Sequence, residues 1–591
     1  MNIYGRRPSD KNGCVHTTQP RQAGLLLPAF TPRREGDLGI GDTLALRGWV
    51  DWAADHGVAF LQLLPINENG TEESPYSGIS SAALDPIYLA CEVGEIPGLT
   101  EADIARARNQ LKAAIQSPLV NYPAVRAAKR SLLELAWSRF KHSEPSLTAE
   151  FENFKKLECD WLEDYCLFRH LMEIHGESLT WDQWPEGCRT PQEARKFLSK
   201  LRTRDAVGVD HRLDFFAFVQ WLCFRQWLAL RGHAQARGVK LMGDVPIGIS
   251  WHSCDVFFNR EEFHLDWSGG SPPEGMRQDD PFFQQWGQNW GIPLYRWDHM
   301  QANGFQWWRK RIKRLTRIFQ MFRLDHILGF YRIYAFPWRP ERNHEFIGLG
   351  REEAAAITHG RLPHWSLRPD DTMENKAANR EDGDARLRAI FDAANGAEVI
   401  AEDLGWVPEY VRPHLASLGI AGFRIPHWDC NEHGHPTPGD FFPENTFATY
   451  STHDHDPVNG IWRACQRTIQ QHHEQPTEQT GWWVGGCHNT LRILSEFAGI
   501  PTAHHSPWPP FTEGIRLRFI KALLSSNSRY AALMVTELFS LDDRFNHPGT
   551  TGGENWRYRL PWTLEEIMED PLLRANGEKF AAIISITRRS P

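Results

Sequence analysis

The sequence predicts a (β/α)8 TIM barrel of the α/β class, with helical insertions on the face formed by the C-terminal ends of its strands. Three observations predict it. Eight short apolar runs bounded by turn residues read as buried strands. Most of them follow a stretch with helical periodicity, an alternation that asks for a parallel sheet with helices outside. Eight such units close a barrel. An open doubly wound sheet fits less well, because no G-x-G-x-x-G follows the first run.

The first run is Gly24–Phe30 (GLLLPAF). An amphipathic stretch, Leu44–His56, leads to the second, Val58–Pro65 (VAFLQLLP). A long helical pattern, Asp214–Arg237, leads to Val239–Pro246. Another, Phe305–Ile318, leads to Phe319–Asp325 (FQMFRLD). In that helix Phe305, Trp308, Ile312, Leu315 and Phe319 recur at helical spacing. The basic run Arg309–Arg317 therefore falls on the opposite, solvated face and is no nucleic-acid patch. Glu398–Glu402, Ala421–Ile425, Thr446–Ser451 and Ala531–Glu537 complete the eight. Spacing between runs is uneven, and this sets the expected organisation. An N-terminal arm, 1–23, precedes a catalytic barrel, 24–591. The barrel carries insertions at about 91–210 (helical, with amphipathic stretches Tyr122–Phe140 and Phe151–Ile174), 346–396 (with Leu362–Asp384 as a polar loop) and 461–511. Insertions that follow strands sit where barrel active sites lie.

Whole-chain properties narrow the function. A net charge of −9 argues against nucleic acid as a partner. Met1–Pro20 has no apolar core of a signal peptide. No run of about eighteen apolar residues exists to span a membrane. The 10 cysteines are scattered with no C-x-x-C pair, as expected for reduced thiols in the cytoplasm rather than a disulfide frame or zinc site. The chain has 25 tryptophans. Their flat apolar faces with a polar edge suit packing in a core and stacking on sugar rings equally well.

Acidic residues close four of the strands: Asp244 in GDVPIG, Asp325 in FRLDHILGF, Glu402 in VIAEDLG and Asp454 in YSTHDHDP. Side chains alternate along a strand, so Arg323 and Asp325 share a side. A guanidinium there favours an ionised carboxylate, which a glycosyl nucleophile must be. Glu402 ends the next strand. Neighbouring strands are about 4.8 Å apart, which suits two carboxylates about 5–5.5 Å apart, the retaining geometry. A nearby negative charge or apolar walls would keep Glu402 protonated as a general acid. Asp403 is free to cap the following helix. His453 and Asp454 fit neighbouring sugar hydroxyls better than a metal, since their spacing matches no zinc motif. Ser74–Pro75–Tyr76 and the loop Trp286–Trp297 (WGQNWGIPLYRW), with Gln288 and Trp290, add a stacking and hydrogen-bonding surface.

These motifs, in this order, resemble glycoside hydrolase family 77, the amylomaltases and disproportionating enzymes. The resemblance begins in GLLLPAFTPRREGDLGIGD and LQLLPINENGTEESPYSGISSAALDPIYL. It runs through GDVPIGIS, WGQNWGIPLYRW, FRLDHILGF, VIAEDLG and YSTHDHDP, and closes in DRFNHPGTTGGENWRYRLP, Asp543–Pro561. It implies a 4-α-glucanotransferase that needs no cofactor or metal and acts on α-1,4-glucans. Asp325 would be the nucleophile, Glu402 the acid/base and Asp454 the stabiliser of the transition state. Tyr76, Asp244, Gln288, Trp290, Arg323, His326 and His453 would contact the donor sugar. One departure stands out: the family's usual T-H-D-N is here Thr452–His453–Asp454–His455. A hydrolase of the amylase type, or a glucan-binding barrel without turnover, would use the same surface.

Overall fold

The computed structural model describes residues 20–273, 280–501 and 508–589. Most of the expected N-terminal arm, with Cys14, and residues 502–507 of the third insertion lie outside them.

Twelve strands occur in the described residues. They are β1 (Gln22–Leu26), β2 (Phe60–Gln62), β3 (Lys240–Val245), β4 (Phe263–Ser271), β5 (Gln288–Tyr295), β6 (Met321–Leu324), β7 (Ile333–Phe336), β8 (His364–Ser366), β9 (Glu398–Ala401), β10 (Ala421–Arg424), β11 (Thr446–Ala448) and β12 (Tyr530–Met534). Eight close into a barrel in the order β1-β12-β11-β10-β9-β6-β3-β2, every pairing parallel. All eight predicted runs are barrel strands. The last is shorter than its apolar run, because Val535–Leu538 turns into a helix.

The period of two along each strand sorts the side chains. Phe60, Met242, Met321, Ile400, Phe423, Phe447 and Tyr530 fill the barrel interior. Leu61, Phe322, Leu324, Val399 and Ala401 face outward into the core shared with the helices. On β6 the inward set continues from Met321 to Arg323 and on to Asp325. On β3 it continues from Met242 to Asp244, and on β9 from Ile400 to Glu402. Strand register sets these ends side by side: Asp244 pairs with Arg323, and Leu324 with Ala401.

Strands β5, β4, β7 and β8 form a second sheet, antiparallel, which the sequence reading did not anticipate. It is built from two separate connections, β3 to β6 and β6 to β9. The segment Trp286–Trp297, read as a loop, therefore contains β5. Likewise Leu362–Asp384, read as a loop, contains β8 and the start of the helix Met373–Ala394. That helix hid in the sequence because its buried face includes Asn379 and Arg386 rather than a plain apolar stripe. Thr372 caps it by accepting from the Asn375 N–H.

Between β2 and β3 run helices Glu101–Gln110, Lys112–Gln116, Tyr122–Phe140, Pro145–Leu157 and Cys159–Ile174. A longer helical run, Pro191–Ala236, breaks at Asp205 (φ −151°, ψ 79°). The basic helix, Gln306–Leu315, buries Trp307, Trp308 and Ile312. One of its charges departs from the expected solvated face: Arg311 is buried, its guanidinium 4.9 Å from the Trp308 ring centroid. Arg314 and Arg317 turn to Asp160 and Glu158 instead. Among the described residues no helix is long and apolar enough to cross a membrane.

Candidate active site

Arg323 organises the mouth of the barrel. Its side chain is 3% exposed. Nη1 donates to both Asp244 oxygens, at 2.7 and 2.9 Å. Nη2 lies 3.0 Å from Asp325 Oδ1 and 3.7 Å from Glu402 Oε2. Sharing one nitrogen at those distances brings Asp325 Oδ1 and Glu402 Oε2 within 6.7 Å of each other, which admits the retaining spacing of about 5–5.5 Å between the carboxyl groups. The Asp325 and Glu402 side chains keep 22% and 14% of their surface open, so both face the cleft.

Glu402 Oε2 also accepts from the His326 backbone N–H at 2.7 Å. His326 holds a left-handed conformation, φ 41°, which aims that N–H at the carboxyl. Burial pushes the Glu402 carboxyl up to about 8, with Arg323 opposing and the charge of Asp325 adding to the rise. Loss of hydration lowers the half-buried His326 imidazole to about 4, so it is neutral at physiological pH. Its edge meets the Trp290 ring at 4.8 Å. The Trp290 Nε1–H donates to Gln288 Oε1 at 3.1 Å, so β5 delivers both residues to the cleft.

Across the barrel mouth, the loop after β11 brings in His453 and Asp454. The Tyr76 hydroxyl donates to Asp244 Oδ2 at 2.7 Å and lies 3.0 Å from His453 Nε2. That same Nε2 lies 3.2 Å from Asp454 Oδ2. Burial works against a charge on Asp454, but His453, Asn546 and Arg323 outweigh it and hold the carboxyl well below the usual range. Burial pushes Asp244 up, against Arg323. The structure thus brings all ten residues singled out from the sequence to one end of the barrel. Tyr76, Asp244, Arg323, Asp325, His326, Glu402, His453 and Asp454 form one connected network; Gln288 and Trp290 join it through the His326 ring.

Several neighbours went unassigned in the sequence. Asn546 Nδ2 donates to Asp454 Oδ1 at 2.6 Å, and Arg544 donates to the Asp454 carbonyl. Trp556 packs on both Tyr76 and His453, 5.7 Å from each. All three lie in DRFNHPGTTGGENWRYRLP, whose polar density after the last strand was the available signal. Asp403 is a correction. It caps no helix; fully buried, it accepts from the Phe423 N–H at 2.6 Å and from Arg412 Nε at 2.9 Å, tying β9 to β10. His455, in the place of the usual Asn, lies 2.7 Å from Thr452 Oγ1 and packs edge-on against Trp428. Among the described residues no group of His, Cys, Asp and Glu is arranged to hold a metal ion.

Residues 27–565 match the family model described as 4-alpha-glucanotransferase. The 4-alpha-glucanotransferase of Chlamydia caviae is 29% identical over 94% of this chain and 93% of its own length. That of Thermus thermophilus is 28% identical over 96% and 99%. Among solved structures, the amylomaltase from Streptococcus agalactiae in complex with acarbose superposes with a TM-score of 0.72 at 21% identity, over 97% of this chain and all of that one. The amylomaltase from Corynebacterium glutamicum gives 0.73 at 21%, over 95% and 75%.

Proposed function

The chain belongs to the 4-alpha-glucanotransferase family, and on that premise we propose that it transfers segments of α-1,4-glucans by a retaining double displacement. The observation that carries this reading is the single Arg323 nitrogen against both carboxylates, with Glu402 pushed up to about 8. At neutral pH Glu402 keeps its proton. It gives that proton to the glycosidic oxygen as Asp325 attacks the anomeric carbon, and the leaving chain departs with the proton on its new 4-hydroxyl. The glucosyl group is then an ester of Asp325, and Glu402 is a carboxylate. An incoming 4-hydroxyl loses its proton to Glu402 and displaces Asp325, and the α-linkage is remade. Two inversions give net retention.

Asp454 and His453 hold adjacent hydroxyls of the donor ring, and the ionised Asp454 stabilises the positive charge that develops in the transition state. Tyr76, Asp244 and Arg323 form the floor beneath that ring. Trp290 and Gln288 wall it on the β5 side. The chemistry calls on no cofactor. The segments 91–210, 346–396 and 461–511 we take as insertions into the 24–591 barrel that enclose the glucan. Nine free cysteines among the described residues suit a reducing, cytoplasmic setting.

The test is incubation with pure maltotriose, following glucose and total reducing ends together. The expected result is a ladder of longer maltooligosaccharides plus glucose at constant reducing ends, abolished in Asp325→Asn. Rising reducing ends without longer products would make the chain a hydrolase on the same barrel. Near-normal turnover by Asp325→Asn would remove that residue as nucleophile.

A further inference from the structure

An open groove, about 320 Å³ with the solvent at its mouth included, lies between the loops that follow β6 and β9 and the four-stranded sheet. His326, Arg332, Trp365 and Trp406 are among its walls. His326 is common to this groove and the donor site: its ring meets Trp290, and its N–H holds Glu402. Trp406 comes four residues after Glu402 and is 84% exposed. A single exposed apolar residue is commonplace. Here it shares a groove with a second indole that is fixed in place. The Arg332 guanidinium sits 3.7 Å from the Trp365 ring centroid, and Asp370 Oδ2 pins Arg332 Nε at 2.6 Å. The open Trp406 ring, with the held guanidinium that Trp365 backs, matches a sugar ring, apolar on its faces and polar at its edge.

The path of the proton identifies the occupant. Glu402 serves the oxygen between donor and leaving chain, and later the incoming 4-hydroxyl. The acceptor chain must therefore leave Glu402 on the side not occupied by Tyr76, Asp244 and His453. The groove begins there, at His326. We propose that this groove is an acceptor subsite in which Trp406 stacks on the second glucose ring of the incoming glucan and Arg332, backed by Trp365, meets its hydroxyls. Trp406 thereby sets a preference for longer acceptors over glucose. This rests on the glucanotransferase reading above.

The experiment compares glucose with maltotriose as acceptor at a fixed donor concentration. Trp406→Ala is expected to lower the kcat/KM ratio of maltotriose over glucose about tenfold, through the KM for maltotriose. Trp406→Phe should retain most of the ratio, and both variants should melt with the wild type because Trp406 lies outside the core. An unchanged ratio in Trp406→Ala overturns the proposal. If the wild type only hydrolyses, the glucanotransferase reading fails separately. The groove is then read by titrating maltotriose into Asp325→Asn and into Asp325→Asn/Trp406→Ala. Binding about tenfold weaker in the double variant upholds the groove, and equal binding overturns it.

Discussion

Arg323 reaches three carboxylates, and each uses it differently. Asp244 accepts from one nitrogen with both oxygens, Asp325 is held in the cleft by the other, and at Glu402, 3.7 Å away, burial outweighs the guanidinium. Two carboxyls with different environments at one site are what acid and nucleophile roles require. The sign of the pH dependence follows. A general acid works while protonated, so kcat/KM should hold through neutral pH and fall as pH rises past about 8, the value to which Glu402 is pushed. A pH–rate profile with maltotriose measures this limb. Glu402→Gln should remove the limb and cost about 10²–10⁴-fold in kcat/KM, the span of a lost general acid. An alkaline limb that survives in Glu402→Gln would assign it to another group. At this scale the sequence was readable where alternation governs: Arg323 beside Asp325 follows from period two. It misread Asp403, because whether a carboxylate after a strand caps a helix or bridges to the next strand depends on the neighbour's register.

The unanticipated element is the sheet β5-β4-β7-β8. Its strands carry glycines and tryptophans without clean alternation, and its partners come from two different connections, so no local window displays the pairing. Its effect is specific, since β5 presents Gln288 and Trp290 to His326. Gly270 on β4 opposes Asn289 across that pairing. A Cβ at Gly270 would fall 1.9 Å from the Gln288 carbonyl oxygen, a backbone atom that cannot swing away. Gly270→Ala should therefore push β5 outward and lower kcat/KM by about 10²-fold, as small misplacements of positioning groups do. The barrel, which does not include this sheet, should survive with a loss of about 1–3 kcal/mol. Steady-state kinetics beside a denaturant titration checks both halves, and full activity would show that β4 and β5 absorb the methyl group.

Over the whole molecule, a segment after the first strand is locked to one after the last. Arg559 and Asp37 are almost fully buried, with Nη2 donating to both carboxylate oxygens at 2.7 and 2.8 Å. Arg559 Nη1 also donates to the Ile115 carbonyl at 2.8 Å, which draws the Lys112–Gln116 helix into the same latch. Removing one partner leaves a buried charge unpaired. Arg559→Leu should thus cost about 3–5 kcal/mol, and adding Asp37→Asn should restore part of it. Chemical denaturation of the single and double variants reads the difference; equal stability of Arg559→Leu and the wild type would deny the latch its role.

The eight barrel strands, the helix-before-strand order and the acids at four strand ends were all legible in the linear pattern. They depend on hydrophobic alternation and on turn residues, which act between neighbours along the chain. The motif resemblance added the family. The second sheet, the burial of Arg311, the bridging role of Asp403, the support of Asp454 by Asn546 and Arg544 and the packing of Trp556 on Tyr76 and His453 came from tertiary contacts. Such contacts exist only after the barrel closes and its loops fold across one rim, because that closure sets which groups lose water and which charge is nearest. The same closure raises Glu402 and lowers Asp454, giving two carboxyls of one barrel opposite protonation at neutral pH.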